Sequence, residues 1–207
     1  MAEAEGLKGP MGKGGFSNRI LLVLTGVPGV GKSSVARILS KRLKGTHIDL
    51  TELTLKENLN LGFDEERGVA IADLEIIRRR VKEIYDTSEG PIIVEGHFAH
   101  DVVPAKMASM VFVLRRAPWR LKSELERRGY GRMKVRENVE AELLDVSLVE
   151  ALEAYGEEIV CEIDTTSLAI EEAAEEILSI LEGRIPCRRG FIDWLGHPMS
   201  KMVLEDP

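Results

Sequence analysis

GVPGVGKS, at residues 26–33, matches the phosphate-binding pattern G-x-x-x-x-G-K-[ST] at every fixed position. The glycines of this pattern let backbone N–H groups turn inward around phosphate oxygens without a clash of side chains. An apolar, β-prone run, ILLVLT at residues 20–25, precedes the motif, and a helical pattern follows from residue 33. A buried strand, a glycine-rich loop and a helix therefore succeed one another as the pattern requires, which argues against a glycine-rich turn that binds no nucleotide.

The motif predicts ATP and Mg²⁺ as ligands and assigns a role to each polar position. Lys32 can reach the β- and γ-phosphates, the Ser33 hydroxyl can ligate Mg²⁺, and Ser34 is a further contact to the α-phosphate. The helix that begins near Lys32 directs its positive end at the same oxygens. The predicted phosphate-binding residues of the loop are Gly29, Val30, Gly31, Lys32, Ser33 and Ser34.

Similar apolar runs recur along the chain, at residues 47–50, 91–95, 110–114 and 159–163, and the first of these is the least regular. Helical patterns alternate with them, at residues 33–43, 71–85, 119–128, 135–155 and 170–181. Strands that alternate with helices indicate βαβ units. The sequence therefore predicts an α/β fold in which a parallel sheet is flanked by helices on both faces.

A second site is predicted at the end of the run PIIVE, residues 91–95. P-loop proteins hold the Mg²⁺ shell with an acid near a strand end, and ligands in open parallel sheets bind outside the carboxyl ends of the strands. Glu95 occupies such a position and is the candidate metal-binding and catalytic carboxylate; a strand-end acid paired with a surface arginine is the alternative. His97 would face the same side as Glu95 only if the strand continued that far.

The charge of the chain is distributed unevenly. The net charge of −7 argues against a surface that binds nucleic acid or anionic lipid, yet residues 115–137 hold nine Lys or Arg and three Glu, a balance of +6. Arg127, Arg128, Lys134 and Arg136 lie on both sides of a glycine-containing break at residues 129–131. We interpret this segment as a lid whose cations close on phosphates; a solvated, charged helix face is the alternative.

The remaining features restrict the class of protein. Residues 1–18 are predicted to be a flexible leader without a signal-peptide core, and no apolar run is long enough to span a bilayer. Cys161 and Cys187, the only cysteines, are expected to be reduced thiols of a cytoplasmic protein. Residues 184–207 are predicted to be an appendage that either docks on its own domain or holds a partner. Because every predicted chemical group lies between residues 26 and 136, its removal is expected to spare catalysis.

An ordered set of segments resembles the adenylate kinase isoenzyme six family, also called CINAP, which comprises archaeal and nuclear adenylate kinases. The segments are GVPGVGKS (26–33), GFDEE (62–66), IIVEGH (92–97), VFVLR (111–115) and ERRGY…NVEAE (126–142). The resemblance covers about residues 19–182. It implies a nucleoside-monophosphate-kinase fold with a core domain at residues 19–183, a monophosphate-binding region at about 47–86 and a lid at about 126–137.

The resemblance also implies the reaction ATP + AMP ⇌ 2 ADP, with ATPase activity beside it. It implies a role in maturation of the small ribosomal subunit, through binding of small-subunit ribosomal protein eleven. No direct binding of DNA is expected. By position, Lys32, Ser33 and Ser34 match the phosphate loop of the family, and Glu95 and His97 match its D-x-H. The remaining matches are Arg128 with the arginine of R-G-Y, Lys134 with a lid lysine, and Arg115 with the arginine that closes the fourth strand.

Two departures from the family pattern concern the chemistry. The acid of D-x-H is Glu95 in this chain, which is expected to alter the balance between kinase and ATPase activity. Leu55, next to Lys56, stands where the family has an arginine that holds the AMP phosphate. Arginine forks bind phosphate oxygens bidentately and leucine cannot, so we expect weak AMP binding unless an arginine of residues 78–80 substitutes.

Three functions remain open at this point. The first is a monophosphate kinase that uses AMP. The second is an ATP-driven assembly factor that binds and releases a ribosomal protein, for which the acidic balance outside residues 115–137 suits a basic partner. The third is a kinase of another small hydroxylated molecule, which the same fold would support.

Overall fold

The structure, a computed structural model, describes residues 20–64 and 69–204. The predicted leader, residues 1–18, and part of the GFDEE segment lie outside the described residues. Five parallel strands form the central sheet in the order β2-β5-β1-β6-β7. They are β1 (Leu21–Thr25), β2 (Thr46–Asp49), β5 (Ile92–Glu95), β6 (Met110–Arg115) and β7 (Val160–Asp164). Each of the five apolar runs therefore forms a strand, and the predicted α/β fold is confirmed.

The sheet is buried on both faces, which explains why its strands are continuously apolar rather than alternating. One face carries Leu22, Leu24, Phe112 and Leu114 in a core cluster with the helices α1 (Lys32–Leu43) and α8 (Ile170–Leu181). The opposite face packs against α3 (Leu74–Thr87), α4 (Ala99–Val102) and α7 (Val146–Tyr155). This two-faced core fixes the carboxyl ends of β2, β5 and β1 side by side.

The region between β2 and β5 holds elements that the sequence did not predict. Helix α2 (Leu50–Lys56) follows β2 directly, and an antiparallel hairpin pairs β3 (Asn60–Asp64) with β4 (Val69–Ala72). The helix predicted from residue 71 begins instead at Leu74, because the carboxylate of Asp73 accepts a hydrogen bond from the Ile76 N–H (3.1 Å) and caps α3.

The long helix predicted for residues 135–155 is two helices, α6 (Arg132–Leu143) and α7. Asp145 lies between them with a left-handed φ of 57°, and its side chain accepts a hydrogen bond from Arg115 of β6. A contact with a distant part of the chain therefore interrupts a helical pattern that is continuous in the sequence. Helix α5 (Pro118–Arg127) precedes α6 and is separated from it by the predicted break, where Gly129 has a φ of 77°.

The segment after α8 returns to the domain and lies along β7, the edge strand of the sheet. The Glu162 N–H donates to the Arg188 carbonyl at 2.8 Å, and Cys187 forms a disulfide with Cys161 of β7. The prediction of two reduced thiols is therefore wrong. The two cysteines are 26 residues apart, and only the return of the chain along the edge strand brings them together. The expected cytoplasmic location thus loses the support that it drew from reduced thiols.

The rest of the C-terminal segment packs against the start of α5 and the end of α6. Trp194 is buried beside Ala117 and Leu143, and its indole N–H donates to Glu142 at 2.9 Å. A short helix, α9 (Ser200–Leu204), follows and contacts α5. Of the two alternatives for this segment, the described residues show docking on its own domain. No helix in the described ranges is long and apolar enough to cross a membrane.

Candidate active site

The phosphate loop connects β1 to α1 and has the shape that its sequence predicts. Gly26, Gly29 and Gly31 all have positive φ angles, of 132°, 96° and 103°. A Cβ atom on Gly26 would lie 2.4 Å from the Leu114 carbonyl oxygen, and one on Gly29 would lie 2.9 Å from a methyl carbon of Leu121. The loop therefore needs glycine both for its backbone angles and for its packing, and it fits a phosphate cradle at the N-terminus of α1.

Lys32 already lies across this loop. Its ammonium donates hydrogen bonds to the carbonyl oxygens of Gly26 (2.8 Å) and Val27 (3.1 Å). These two carbonyls therefore bind ammonium N–H groups that phosphate oxygens would otherwise bind. Burial lowers the pKa of Lys32 to about 8, although the charges of Glu95 and Asp49 act in the opposite direction. Phosphate oxygens beside the ammonium would favour its charged form and raise the pKa again.

Glu95 ends β5 at the same edge of the sheet, in register with Leu24 of β1. Its side chain is buried, and its Oε1 has no hydrogen-bond partner among the described residues; the ring nitrogen Nε2 of His47, 3.5 Å away, has none either. Burial opposes ionisation of Glu95, but polar contacts with His47 and Ser33 outweigh it and lower the pKa of the carboxyl. A buried, charged oxygen without a partner is costly, so it fits an acceptor for metal-bound water.

Asp49 is a carboxylate that the sequence interpretation missed. It ends β2, pairs in register with Glu95 across the neighbouring strands, and accepts a hydrogen bond from the Glu52 N–H at 3.0 Å. Burial raises the pKa of Asp49, and the nearby Glu95 carboxylate adds to this effect. The strand-end argument that identified Glu95 applies equally to Asp49, at the end of the run at residues 47–50, but it was applied only to the run at residues 91–95.

His97 is not brought beside Glu95 by a continuing strand. Strand β5 ends at Glu95, the Gly96 N–H donates to the Leu24 carbonyl at 3.1 Å, and His97 lies in the turn before α4 with an exposed ring. Desolvation of the ring by the surrounding protein lowers the pKa of His97 most, and the charge of Lys32 lowers it further. His97 thus lies at the rim of the site, within the electrostatic range of Lys32.

The lid cations lie at the junction of α5 and α6. Arg127 and Arg128 both bind Glu124 of α5, at 2.8 Å and 2.6 Å, and the charge of Arg128 contributes to lowering the pKa of Lys32. Lys134, in the first turn of α6, is partly buried and makes no ion pair with a described residue. Arg128 is therefore positioned close enough to act on the loop, but it must first leave Glu124 to bind a ligand.

Arg115, which the resemblance matched to the family's strand-closing arginine, is turned away from solvent and bound to carboxylates. Its guanidinium contacts Glu142 (2.8 Å), Glu162 (2.5 Å) and Asp145, and its side chain is 1% exposed. Arg136 likewise binds Glu140 at 2.7 Å. Arg115 is thus neutralised by acids outside the basic stretch and Arg136 by an acid of its own helix, so the charge of the stretch alone does not indicate an anionic ligand.

The monophosphate-binding region offers few free cations. Leu55 is 60% exposed, and Lys56 is paired with Glu52 at 2.5 Å. Arg78 donates to Glu75 (2.8 Å) and to the Asp101 carbonyl (2.6 Å), and Arg80 binds Glu57 (2.8 Å) and Glu83 (3.2 Å). Arg79 forms no ion pair with a described residue, but it lies about 200° around α3 from the buried Ile77, on the side away from the core.

The donor set fits Mg²⁺ that arrives with a nucleotide. In the part of the chain that the structure describes, no group of three or more His, Cys, Asp or Glu residues forms a closed metal site. Mg²⁺ usually keeps several waters and is bound by one or two carboxylates together with phosphates. Ser33 and Glu95, the predicted metal residues, supply a hydroxyl and a carboxylate at the edge of the phosphate cradle.

Comparison with known proteins identifies the family. A family model described as AAA domain matches residues 22–145. A protein named "Putative adenylate kinase" from Methanosarcina barkeri is 40% identical over 185 residues, which is 85% of this chain and 98% of that protein. One of the same name from Methanothermobacter thermautotrophicus is 42% identical over 176 residues, with coverage of 85% and 98%.

Solved structures share the fold at lower identity. Shikimate kinase from Acinetobacter baumannii in complex with shikimate matches with a TM-score of 0.52 and 21% identity, over 80% of this chain and 94% of that one. A gluconokinase from Sinorhizobium meliloti matches with a TM-score of 0.51 and 17% identity, over 80% and 93%. The similarity in sequence to the two archaeal proteins extends over most of each chain, and this chain belongs to their adenylate kinase-like family of P-loop proteins.

Proposed function

We propose that this protein is an adenylate kinase that catalyses ATP + AMP ⇌ 2 ADP with Mg²⁺, with ATPase activity beside it. The observation that carries the proposal is the meeting of the phosphate loop and Glu95 at one edge of the sheet. A glycine cradle with Lys32 lies next to a buried carboxylate oxygen that has no hydrogen-bond partner in the described chain. The name of the archaeal relatives supports adenosine nucleotides as the substrates.

The donor half of the reaction follows from the loop and its neighbours. The N–H groups of Gly29, Val30 and Gly31 and the ammonium of Lys32 would hold the β- and γ-phosphates. Mg²⁺, when bound, neutralises charge on the transferring group, and Ser33 and Glu95 would hold it. Glu95 would act through a metal-bound water, which its buried and unpartnered oxygen can orient. Arg128, once released from Glu124, would stabilise the charge that develops in the transition state.

The acceptor half is less well supplied with cations. An AMP phosphate carries about two negative charges and is normally held by arginine forks. Leu55 offers none, and Arg78 and Arg80 are already engaged by carboxylates. Binding of AMP would therefore require these ion pairs to open. This supports weak AMP binding and an ATPase activity that is prominent beside the kinase reaction.

The test is a panel of nucleoside monophosphates with ATP·Mg²⁺, analysed by product chromatography. We expect two ADP for each AMP consumed, and AMP saturation that is weakened by Lys56→Ala, Arg78→Ala, Arg79→Ala or Arg80→Ala. If none of the four variants raises the AMP Michaelis constant, the phosphate is held elsewhere, with the lid arginines as the next candidates. Transfer to a hydroxyl acceptor but not to AMP would instead identify a kinase of another small molecule.

A second candidate function is an ATP-driven assembly factor with little kinase activity. The shortage of free cations in the acceptor region is the observation that favours it. The expected partner, small-subunit ribosomal protein eleven, rests on the resemblance, and so does a role in small-subunit maturation. Pull-down of that purified protein, with and without ATP, tests the interaction. Binding that ATP does not change would contradict a cycle of capture and release.

A further inference from the structure

Two carboxylates lie next to each other at the edge of the sheet that bears the phosphate loop. Asp49 and Glu95 end adjacent parallel strands and are paired in register, so their side chains point to the same face. This is the α1 face, because Ile93, two residues before Glu95, packs in the core cluster that includes α1. Neighbouring strands lie about 4.8 Å apart, so the two carboxylates are brought close together.

The position of Asp49 is fixed by the backbone of the next element. Its Oδ1 accepts the hydrogen bond from the Glu52 N–H and caps α2. The Asp49 carboxyl also contacts the Glu95 carboxyl, and this contact contributes to the raised pKa of Asp49. A capping role alone does not explain an acid here, because Asn and Ser cap helices about as well as Asp does.

Two like charges at this spacing repel each other, and burial strengthens the repulsion. Glu95 is 2% exposed, and its Oε1 finds no hydrogen-bond partner among the described residues. The nearest permanent cation of the loop, Lys32, already donates to two backbone carbonyls. His47 Nε2 lies 3.5 Å from the Oε1 of Glu95 but forms no hydrogen bond with it. A pair of carboxylates with one buried, unpartnered oxygen therefore points to a further cation.

We propose that Asp49 is a second carboxylate of the Mg²⁺ site, which would hold water in the shell of the ion together with Glu95. The proposal rests on the proposed function, because the ion would arrive on the nucleotide. Asp49 then acts as a positioning residue: it orients water in the metal shell and joins the ion to the first turn of α2. Partners of this kind usually contribute about 10- to 100-fold to metal affinity.

The experiment measures metal binding rather than turnover. Mn²⁺ is titrated into the protein with a non-hydrolysable ATP analogue and followed by electron paramagnetic resonance, for the wild type, Asp49→Asn and Asp49→Ser. Both substitutions keep a helix cap and remove the carboxylate. We expect the Mn²⁺ affinity of the ternary complex to fall about 10-fold or more, with metal-free binding of the analogue unchanged or tighter. Asp73→Asn is the matched control, because Asp73 caps α3 through an equivalent bond, from Ile76 at 3.1 Å.

The possible outcomes separate this proposal from the proposed function. Mn²⁺ affinity within twofold of the wild type in both Asp49 variants would overturn the role of Asp49 while leaving the adenylate kinase assignment intact. An equal loss of metal-free analogue binding, or the same loss in Asp73→Asn, would show that Asp49 only supports the local structure and would also overturn it. A wild-type protein that binds neither analogue nor Mn²⁺ would overturn both.

Discussion

Replacement of Arg115 by methionine should lower the free energy of unfolding more than the removal of any exposed positive charge. Arg115 is buried, and it neutralises Glu142 and Glu162, whose side chains are 1% and 0% exposed. Removal of one partner from a buried ion pair costs about 3–5 kcal/mol, because the remaining charge is left uncompensated. For a chain of this size that corresponds to a fall in melting temperature of about 6–20 °C.

The assay is urea unfolding followed by tryptophan fluorescence. The chain has two tryptophans, and both report on this region, since Trp194 donates to Glu142 and packs edge-to-face on Trp119. Arg136→Met is the control, because Arg136 is exposed and pairs with Glu140 within one helix, so its removal should leave the midpoint unchanged. A loss below about 1 kcal/mol for Arg115→Met would refute the view that this cluster is a buried, interdependent network.

The pH dependence of the variant provides a second check. Burial raises the pKa of Glu142 and Glu162, and the positive charge of Arg115 opposes this, so removal of Arg115 raises both pKa values further. A carboxyl with a folded-state pKa above its unfolded value loses its favourable contribution as the pH rises through the folded pKa. The loss in free energy of unfolding of Arg115→Met, relative to the wild type, should therefore be greatest at neutral pH and smaller towards pH of about 5. Adding Glu162→Gln should recover part of it.

The remaining predictions concern the site and the C-terminal segment. Lys32→Met should lower turnover by at least about 10²-fold with the fold intact, and turnover within threefold of the wild type would contradict the phosphate-loop assignment. Glu95→Gln should lower turnover more than ATP affinity; a change confined to the Michaelis constant for ATP would make Glu95 a positioning group. Cys187→Ser should destabilise the oxidised protein by about 3.5 kcal/mol, the entropy of a 26-residue loop, and should equal the wild type under reducing conditions. Deletion of residues 184–207 should destabilise the domain through the loss of the Cys161–Cys187 disulfide and of the Trp194–Glu142 bond, while ATP binding persists at low temperature.

The features that the sequence predicted are those in which the information is local. The strand, loop and helix around residues 26–33 are adjacent in sequence, and strands buried on both faces remain apolar throughout, so both could be identified from the residues alone. The hairpin of β3 and β4 could not, because Asn60–Asp64 (NLGFD) lacks the continuous apolar run by which the strands of the central sheet were predicted. The break at Asp145 could not be predicted either, because its cause is a hydrogen bond from the Arg115 side chain of strand β6.

The charged residues show the same limit more sharply. A count over residues 115–137 suggested an anionic ligand, but the carboxylates that bind Arg115 are Glu142, Asp145 and Glu162, outside the counted window. The disulfide was missed for a related reason, because nothing in the spacing of Cys161 and Cys187 shows that the chain returns along β7. Pairing across the fold, rather than composition, decides which charges and thiols are free to act.

This distinction also bears on what the site can do. Near the phosphate loop, the Oε1 of Glu95 has no hydrogen-bond partner among the described residues. The Lys32 ammonium donates hydrogen bonds to two carbonyl oxygens of the loop. In the acceptor half, Lys56, Arg78 and Arg80 are all bound to carboxylates. Under the proposed function, ATP would bind without breaking an ion pair of the region assigned to the monophosphate, whereas AMP would compete with Glu52, Glu57 or Glu75 for its phosphate ligands. In the proposed reaction, the balance between hydrolysis and transfer would then depend on the opening of these ion pairs.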